Sequence, residues 1–197
     1  MSVFEMYFQL GFAHIADLAG YDHILFIITL CSVYFLPRWK ELLVLITAFT
    51  LGHTLTLALA TLNILNISSS VIEFLIPLTI LITALSNIFI KDSESSKKLH
   101  YFKYAATLFF GLIHGLGFSN YLRMLLGQES DLFLPLLSFN IGLEVGQIFI
   151  VSVLMLASVL FTFRFKTPQR EWNLVFSGSG LGVSLVLLIE RFPGLFS

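Results

Sequence analysis

Of 197 residues, 57% are hydrophobic and only 12% are charged, and the mean hydropathy is +0.91. A soluble domain is about 25% charged, so this composition excludes one and predicts a chain that crosses a membrane several times. A net charge of −1 without a basic patch argues against nucleic-acid binding, and the one cysteine, Cys31 in an apolar run, excludes a disulfide framework.

Residues 3–19 are moderately apolar and too polar for a full crossing. They predict an N-terminal helix that lies at the interface or is partly inserted, ended by Gly20. Glu5 and the lack of a basic start argue against a cleavable signal peptide. Spans of about 20 residues, the length that about 30 Å of hydrocarbon requires, are predicted at 20–36, 41–64, 71–90, 102–126, 132–163 and 172–191. The first is short and stops at Pro37-Arg38, so it is expected to begin inside the lead-in. The expected fold class is all-α: a polytopic transmembrane helical bundle of about six spans, one domain over 1–197.

The basic residues orient these spans. Arg38 and Lys40 follow span one; Lys91, Lys97, Lys98 and Lys103 follow span three; Arg164, Lys166 and Arg170 follow span five. Nine of the eleven basic residues thus fall on one side, leaving Arg123 and Arg191 on the other. Both termini are therefore expected outside.

Against this apolar background the ionisable groups stand out, because an Asp at a helix centre costs roughly 2.5–3.5 kcal/mol on insertion scales. His14 and Asp17, spaced i, i+3, share one face just before span one, and Asp22 and His23 open it. His53 lies mid-span among Thr47, Thr50, Thr54 and Thr56. Glu73 opens span three. His114 sits between Gly111 and Gly115, a small-residue spacing that lets backbones approach. Asn140, Glu144 and Gln147 form a stripe on span five, and Asn87 extends a polar track inward. Imidazole, carboxylate and carboxamide together form the donor inventory of a divalent metal site, and the lack of thiolate or Met clusters disfavours Cu(I). The candidate ligands are His14, Asp17, Asp22, His23, His53, Glu73, His114, Asn140 and Glu144, for a divalent transition metal ion such as Ni, Co or Zn. Plainer roles compete: Asp22 as a helix cap, Glu73 as a first-turn carboxylate, the threonines and His114 as helix packing.

No GxxxxGK[ST] loop occurs, so ATP hydrolysis is not expected, and neither HExxH nor GxSxG is present. Four ordered blocks carry a resemblance. They are Gly20-Tyr-Asp-His23, Thr47-Ala-Phe-Thr-Leu-Gly-His53-Thr-Leu-Thr-Leu, Phe110-Gly-Leu-Ile-His114-Gly-Leu-Gly-Phe118 and Phe139-Asn-Ile-Gly-Leu-Glu144-Val-Gly-Gln147. Together they resemble the HupE/UreJ family of small bacterial membrane proteins, associated with uptake of nickel or cobalt. His14 lacks a following Pro, and His114-Gly115 is followed by Leu-Gly without a Glu, so the chain looks closest to the second, less characterised branch. The resemblance implies a secondary metal permease of the bacterial cytoplasmic (inner) membrane, with Asp22, His23 and His114 as motif residues. The expected partners are a metal-ion substrate and the lipid bilayer. The same residues also suit an intramembrane zinc hydrolase with Glu144 as base, or an accessory membrane subunit whose polar stripe seats a partner helix.

Overall fold

A computed structural model of the chain describes residues 1–89, 97–126 and 132–196, the side chains of 97–99 apart. Lys91 and the side chains of Lys97 and Lys98, used above to orient the spans, lie outside the described residues. In chain order the helices are α1 (Val3–Ile15), α2 (Asp22–Cys31), α3 (Trp39–Thr61), α4 (Ser69–Phe89), α5 (Lys97–Leu126), α6 (Phe133–Phe165) and α7 (Gln169–Arg191). Short 3-10 turns cover Leu36–Arg38 and Phe192–Phe196. No strand occurs among the described residues. Four stretches are long and apolar enough to cross a membrane: Leu36–Thr61, Ser69–Phe89, Phe133–Phe165 and Gln169–Phe196. They carry the predicted second, third, fifth and sixth spans. α5 covers the fourth in 30 residues, with His114, Ser119, Asn120 and Arg123 along it.

The predicted first span does not form one crossing helix. α2 has only 10 residues, and α1 precedes it as a separate helix. α1 starts in a capping box: Ser2 accepts from the Glu5 amide, and Glu5 accepts from the Ser2 amide. It ends at Ile15, ahead of the expected stop at Gly20. The Asp17 carboxylate captures the Ala19 N–H at 2.8 Å, a local bond that competes with helix. α2 ends because the Ser32 N–H turns back to the Thr29 carbonyl and that of Tyr34 to Cys31, after which Pro37 blocks continuation.

Helices in lipid gain nothing from hiding apolar surface from other apolar surface, so their association rests on close packing and interhelical hydrogen bonds. Three pairs dominate: α3 with α5, α1 with α6, and α4 with α7. Glycines set the first two. A Cβ on Gly52, Gly111 or Gly115 would strike backbone of the facing helix, as would one on Gly11 or Gly142. Gly111 faces Phe49 and Gly115 faces His53, so α3 and α5 run parallel. Phe8 faces Gly142 and Ile15 faces Gly146, so α1 runs parallel to α6. α2 continues along the same helix, with Ile28 and Cys31 near Leu154, Met155 and Ser158. α1 and α2 thus follow each other down one side of α6, interrupted at residues 16–21.

The two ends of the bundle differ. At the basic end, Arg38 pairs with Glu41 at 2.7 Å, and His100 of α5 lies 3.2 Å from the same carboxylate. There Arg170 of α7 also donates to the Ile88 carbonyl of α4. At the opposite end Arg191 of α7 binds the Asp22 carboxylate at 3.3 Å and the Glu73 carbonyl at 2.8 Å.

Candidate metal centre

The interruption between α1 and α2 places His14 at the end of one helix and His23 at the start of the next, with ring centroids 4.6 Å apart. His53 of α3 lies 5.8 Å from each of them, and His114 of α5 lies 5.0 Å from His23. Four histidines from four helices therefore meet at one point. The glycine contacts between α3 and α5 are what bring the backbones of His53 and His114 close enough.

His23, His53 and His114 are buried, with His53 and His114 at 0% exposure. One ligand nitrogen each from His14, His23 and His53 lies within 4.8 Å of the others. Three nitrogens on one ion can stand at most about 4.2 Å apart, twice a zinc–nitrogen bond of about 2.1 Å. In the tetrahedral arrangement usual for zinc they stand about 3.4 Å apart, so a pair at the 4.8 Å limit closes by about 1.4 Å to share an ion.

The hydrogen-bond accounting points the same way. Among the described residues, Nε2 of His14, Nε2 of His23, both nitrogens of His53 and Nδ1 of His114 are buried with no partner. An unsatisfied buried polar group costs roughly 1–3 kcal/mol, so this concentration is unusual unless the nitrogens await a ligand. The Thr79 hydroxyl donates to the Ile76 carbonyl at 2.7 Å, so in its 3.0 Å contact with His114 it accepts from Nε2–H. That fixes the tautomer and leaves the His114 Nδ1 lone pair free toward the cluster.

Aromatic rings close the surroundings. Phe118 lies 4.0 Å from His14 and stacks on Phe139 at 5.3 Å. Phe26 and Phe49 each lie 5.2 Å from His114. Among the described residues, no carboxylate joins the group of potential ligands.

The other predicted residues are placed elsewhere. Asp22 turns to Arg191, Asp17 caps the turn at Ala19, and Glu73 is exposed near the Arg191 end. The stripe on α6 meets the hydroxyls of α3: Thr47 donates to Glu144 at 2.8 Å, Thr50 to Gln147 at 2.7 Å and Thr54 to Asn140 at 2.5 Å. Asn87 joins a buried network toward the basic end, donating to the Thr29 carbonyl at 2.7 Å. Ser32, Asn173 and Ser177 complete it, with the Asn173 amide donating to the Asn87 carbonyl at 2.9 Å.

Sequence reasoning singled out Asn87 but missed Thr79 and the partners that Asn87 meets. A readable signal existed in Thr79, Thr83 and Asn87, which repeat at i, i+4, i+8 on α4 and are all buried. The partners on α2 and α7 had no such signal, because small hydroxyl residues are common in membrane helices.

A family model described as HupE / UreJ protein matches residues 1–190. No curated protein and no solved structure matches the chain.

Proposed function

The chain belongs to the HupE/UreJ family, and from that premise we propose that it is a secondary permease that binds a divalent transition metal, nickel or cobalt first, at the four-histidine centre and passes it into the cell. The observation that carries this reading is the convergence of His14, His23, His53 and His114 with five buried, unpartnered nitrogens among them. Neutral imidazole suits Ni, Co and Zn.

In this reading the bundle crosses the membrane six times, and α1 and α2 together make the first crossing. Their 13 and 10 residues give about 35 Å of helix at 1.5 Å per residue, enough for about 30 Å of hydrocarbon. A ligand site at the break of an interrupted helix is a recurrent arrangement in secondary transporters. The basic end faces the cytoplasm by the positive-inside rule, which puts both termini outside the inner membrane. Asp17 and Asp22, at the break, and Glu73, near the start of α4, then stand on the outer side of the centre, where carboxylates attract a cation. Asn140 and Glu144 hold α6 against α3 beside the centre. The membrane potential drives influx at about 2.3 kcal/mol per charge per 100 mV, without ATP.

A second reading draws on the same donors. Three histidines with an open position also form a catalytic zinc site, and Glu144 would be its base. Glu144 is engaged by Thr47 and lies outside the ligand group, which favours the permease.

The test is metal influx into proteoliposomes under an inside-negative potential, with Ni, Co, Zn, Fe and Mn offered separately. The expected result is saturable influx of Ni or Co that His53→Ala abolishes. Absence of influx for every metal, in protein that retains stoichiometric zinc, would overturn the permease and leave the zinc enzyme.

A further inference from the structure

A cavity of about 340 Å³ lies between α4 and α5, near α2. Its walls are mostly hydrocarbon, with Leu30 and Val33 from the α2 side, Ile82 from α4, and Ala106, Phe109 and Phe110 from α5. Phe110, one turn from His114, marks the end nearer the histidines, and Lys103 marks the basic end. At 1.5 Å per residue these two stand about 10 Å apart along α5. Thr83 and Asn87, in the same walls, spend their donors within the bundle: Thr83 donates to the Thr79 carbonyl at 2.8 Å and Asn87 to the Thr29 carbonyl at 2.7 Å. Water needs two to four polar partners to settle in a cavity, so this lining suits an apolar ligand.

The cavity has a side toward the surroundings of the bundle. Three of its wall residues, Ile82, Phe102 and Phe109, are 47%, 68% and 56% exposed. In a membrane, apolar side chains exposed between a mid-bundle ring and a terminal lysine face acyl chains. The basic end is positive. The Lys103 ammonium stands 5.6 Å from the Tyr34 ring centroid, and the Arg38 guanidinium lies over the same ring at 5.2 Å. Glu41 pairs with Arg38 at 2.7 Å, so among the described residues two cations there meet one carboxylate.

We infer that this cavity holds one acyl chain of an anionic phospholipid, with its phosphate beside Lys103, whether or not the bundle carries metal. Basic pockets between membrane helices collect anionic head groups, and the apolar space above Lys103 receives the chain that hangs from such a head. The volume selects the occupant. A helix from a second copy, about 10 Å across with its side chains, needs about 800 Å³ over the same length, more than the cavity offers, whereas a single hydrocarbon chain is slender enough. The histidine-side end of the cavity is one turn from both partners of the Thr79–His114 contact, since Phe110 is at i−4 from His114 and Thr83 at i+4 from Thr79. A bound chain therefore packs against the turns that carry that contact.

The experiment is native mass spectrometry of the full-length protein in detergent, titrated with phosphatidylglycerol or with phosphatidylcholine of the same acyl chains. Wild type is compared with Ala106→Phe, which fills the cavity, with Lys103→Gln, and with Arg164→Gln, which removes the same charge from the same end of the bundle but on α6, outside the cavity walls. Wild type is expected to favour phosphatidylglycerol about fivefold or more, the worth of one basic residue near an anionic surface. Lys103→Gln is expected to weaken phosphatidylglycerol about fivefold and Ala106→Phe by at least as much, with Arg164→Gln unchanged. Equal retention of the two lipids by wild type, or of neither, would overturn the site. So would a folded Ala106→Phe that binds as wild type does, which puts the lipid elsewhere. Equal losses in Lys103→Gln and Arg164→Gln would also overturn it, leaving only a diffuse attraction of the basic end. Should Ala106→Phe fail to fold, the comparison of Lys103→Gln with Arg164→Gln decides alone.

Discussion

His53 condenses the chemistry of the centre into one side chain. It is fully buried, and neither ring nitrogen has a partner among the described residues. The protein therefore carries, without metal, a group that costs roughly 1–3 kcal/mol to leave unsatisfied. His53→Leu removes that cost together with a ligand. We expect it to raise the melting temperature of metal-free protein and to abolish the metal-induced stabilisation, which for wild type is about 2.7 kcal/mol at a metal concentration of 100 times Kd. Thermal melting with and without Ni checks both halves. Thr79 acts on the centre through His114. Thr79→Val keeps the shape and removes the acceptor that fixes the tautomer. Groups in this relation to a ligand cost 10–100-fold in metal affinity when lost, and calorimetric Ni titration is expected to show a loss of about that size. The ionisable residues that stood out in the sequence divide at this scale. The histidines converge, whereas Asp22 and Glu144 are each held by a specific neighbour, Arg191 and Thr47.

At the scale of the element, the decisive residues are those without side chains. Gly115 faces the His53 carbonyl so closely that a Cβ there would strike it. Gly115→Ala must push α5 off α3, an overpacking that costs about 1–3 kcal/mol, and it displaces His114 from His53 at the same time. Gly178 of α7 has no atom within 4 Å of the place its Cβ would take. Gly178→Ala is expected to be neutral or to stabilise by about 0.5–1 kcal/mol, the helix preference of Ala over Gly. Melting both variants in one detergent gives opposite shifts if the contacts are as described. The small-residue spacing at Gly111 and Gly115 was visible in the sequence, but its partner was not. The break between α1 and α2 was half visible. The shortness of the first span showed that it must borrow from the lead-in, while the end at Ile15 depends on how Asp17 folds back on the Ala19 amide.

At the scale of the whole molecule, the two ends carry different charge, and this makes orientation testable. On a Cys31→Ser background, Asn66→Cys lies in the exposed turn after α3 and Lys40→Cys near the basic start of α3. An impermeant maleimide added to intact cells is expected to label the first and to reach the second only after permeabilisation. The reverse pattern would invert the bundle and the direction of transport with it. The three tight helix pairs also give the molecule separable bodies. The histidines are divided among α1, α2, α3 and α5, so the centre sits where these bodies meet and any relative movement changes its geometry.

The sequence by itself determined that the chain is helical and apolar enough to cross a membrane, where five of its long helices lie, and that a small set of histidines, carboxylates and carboxamides stands out against that apolar background. These are properties of composition and period, and each is read within one segment. Only the tertiary structure decided that His14, His23, His53 and His114 share one point, that Glu144 faces threonines, and that Thr79 orients His114. Each of those facts depends on which face of one helix meets which face of another at what depth. In this chain that choice is made by glycine contacts and hydrogen bonds between residues up to 169 positions apart, which no single segment encodes.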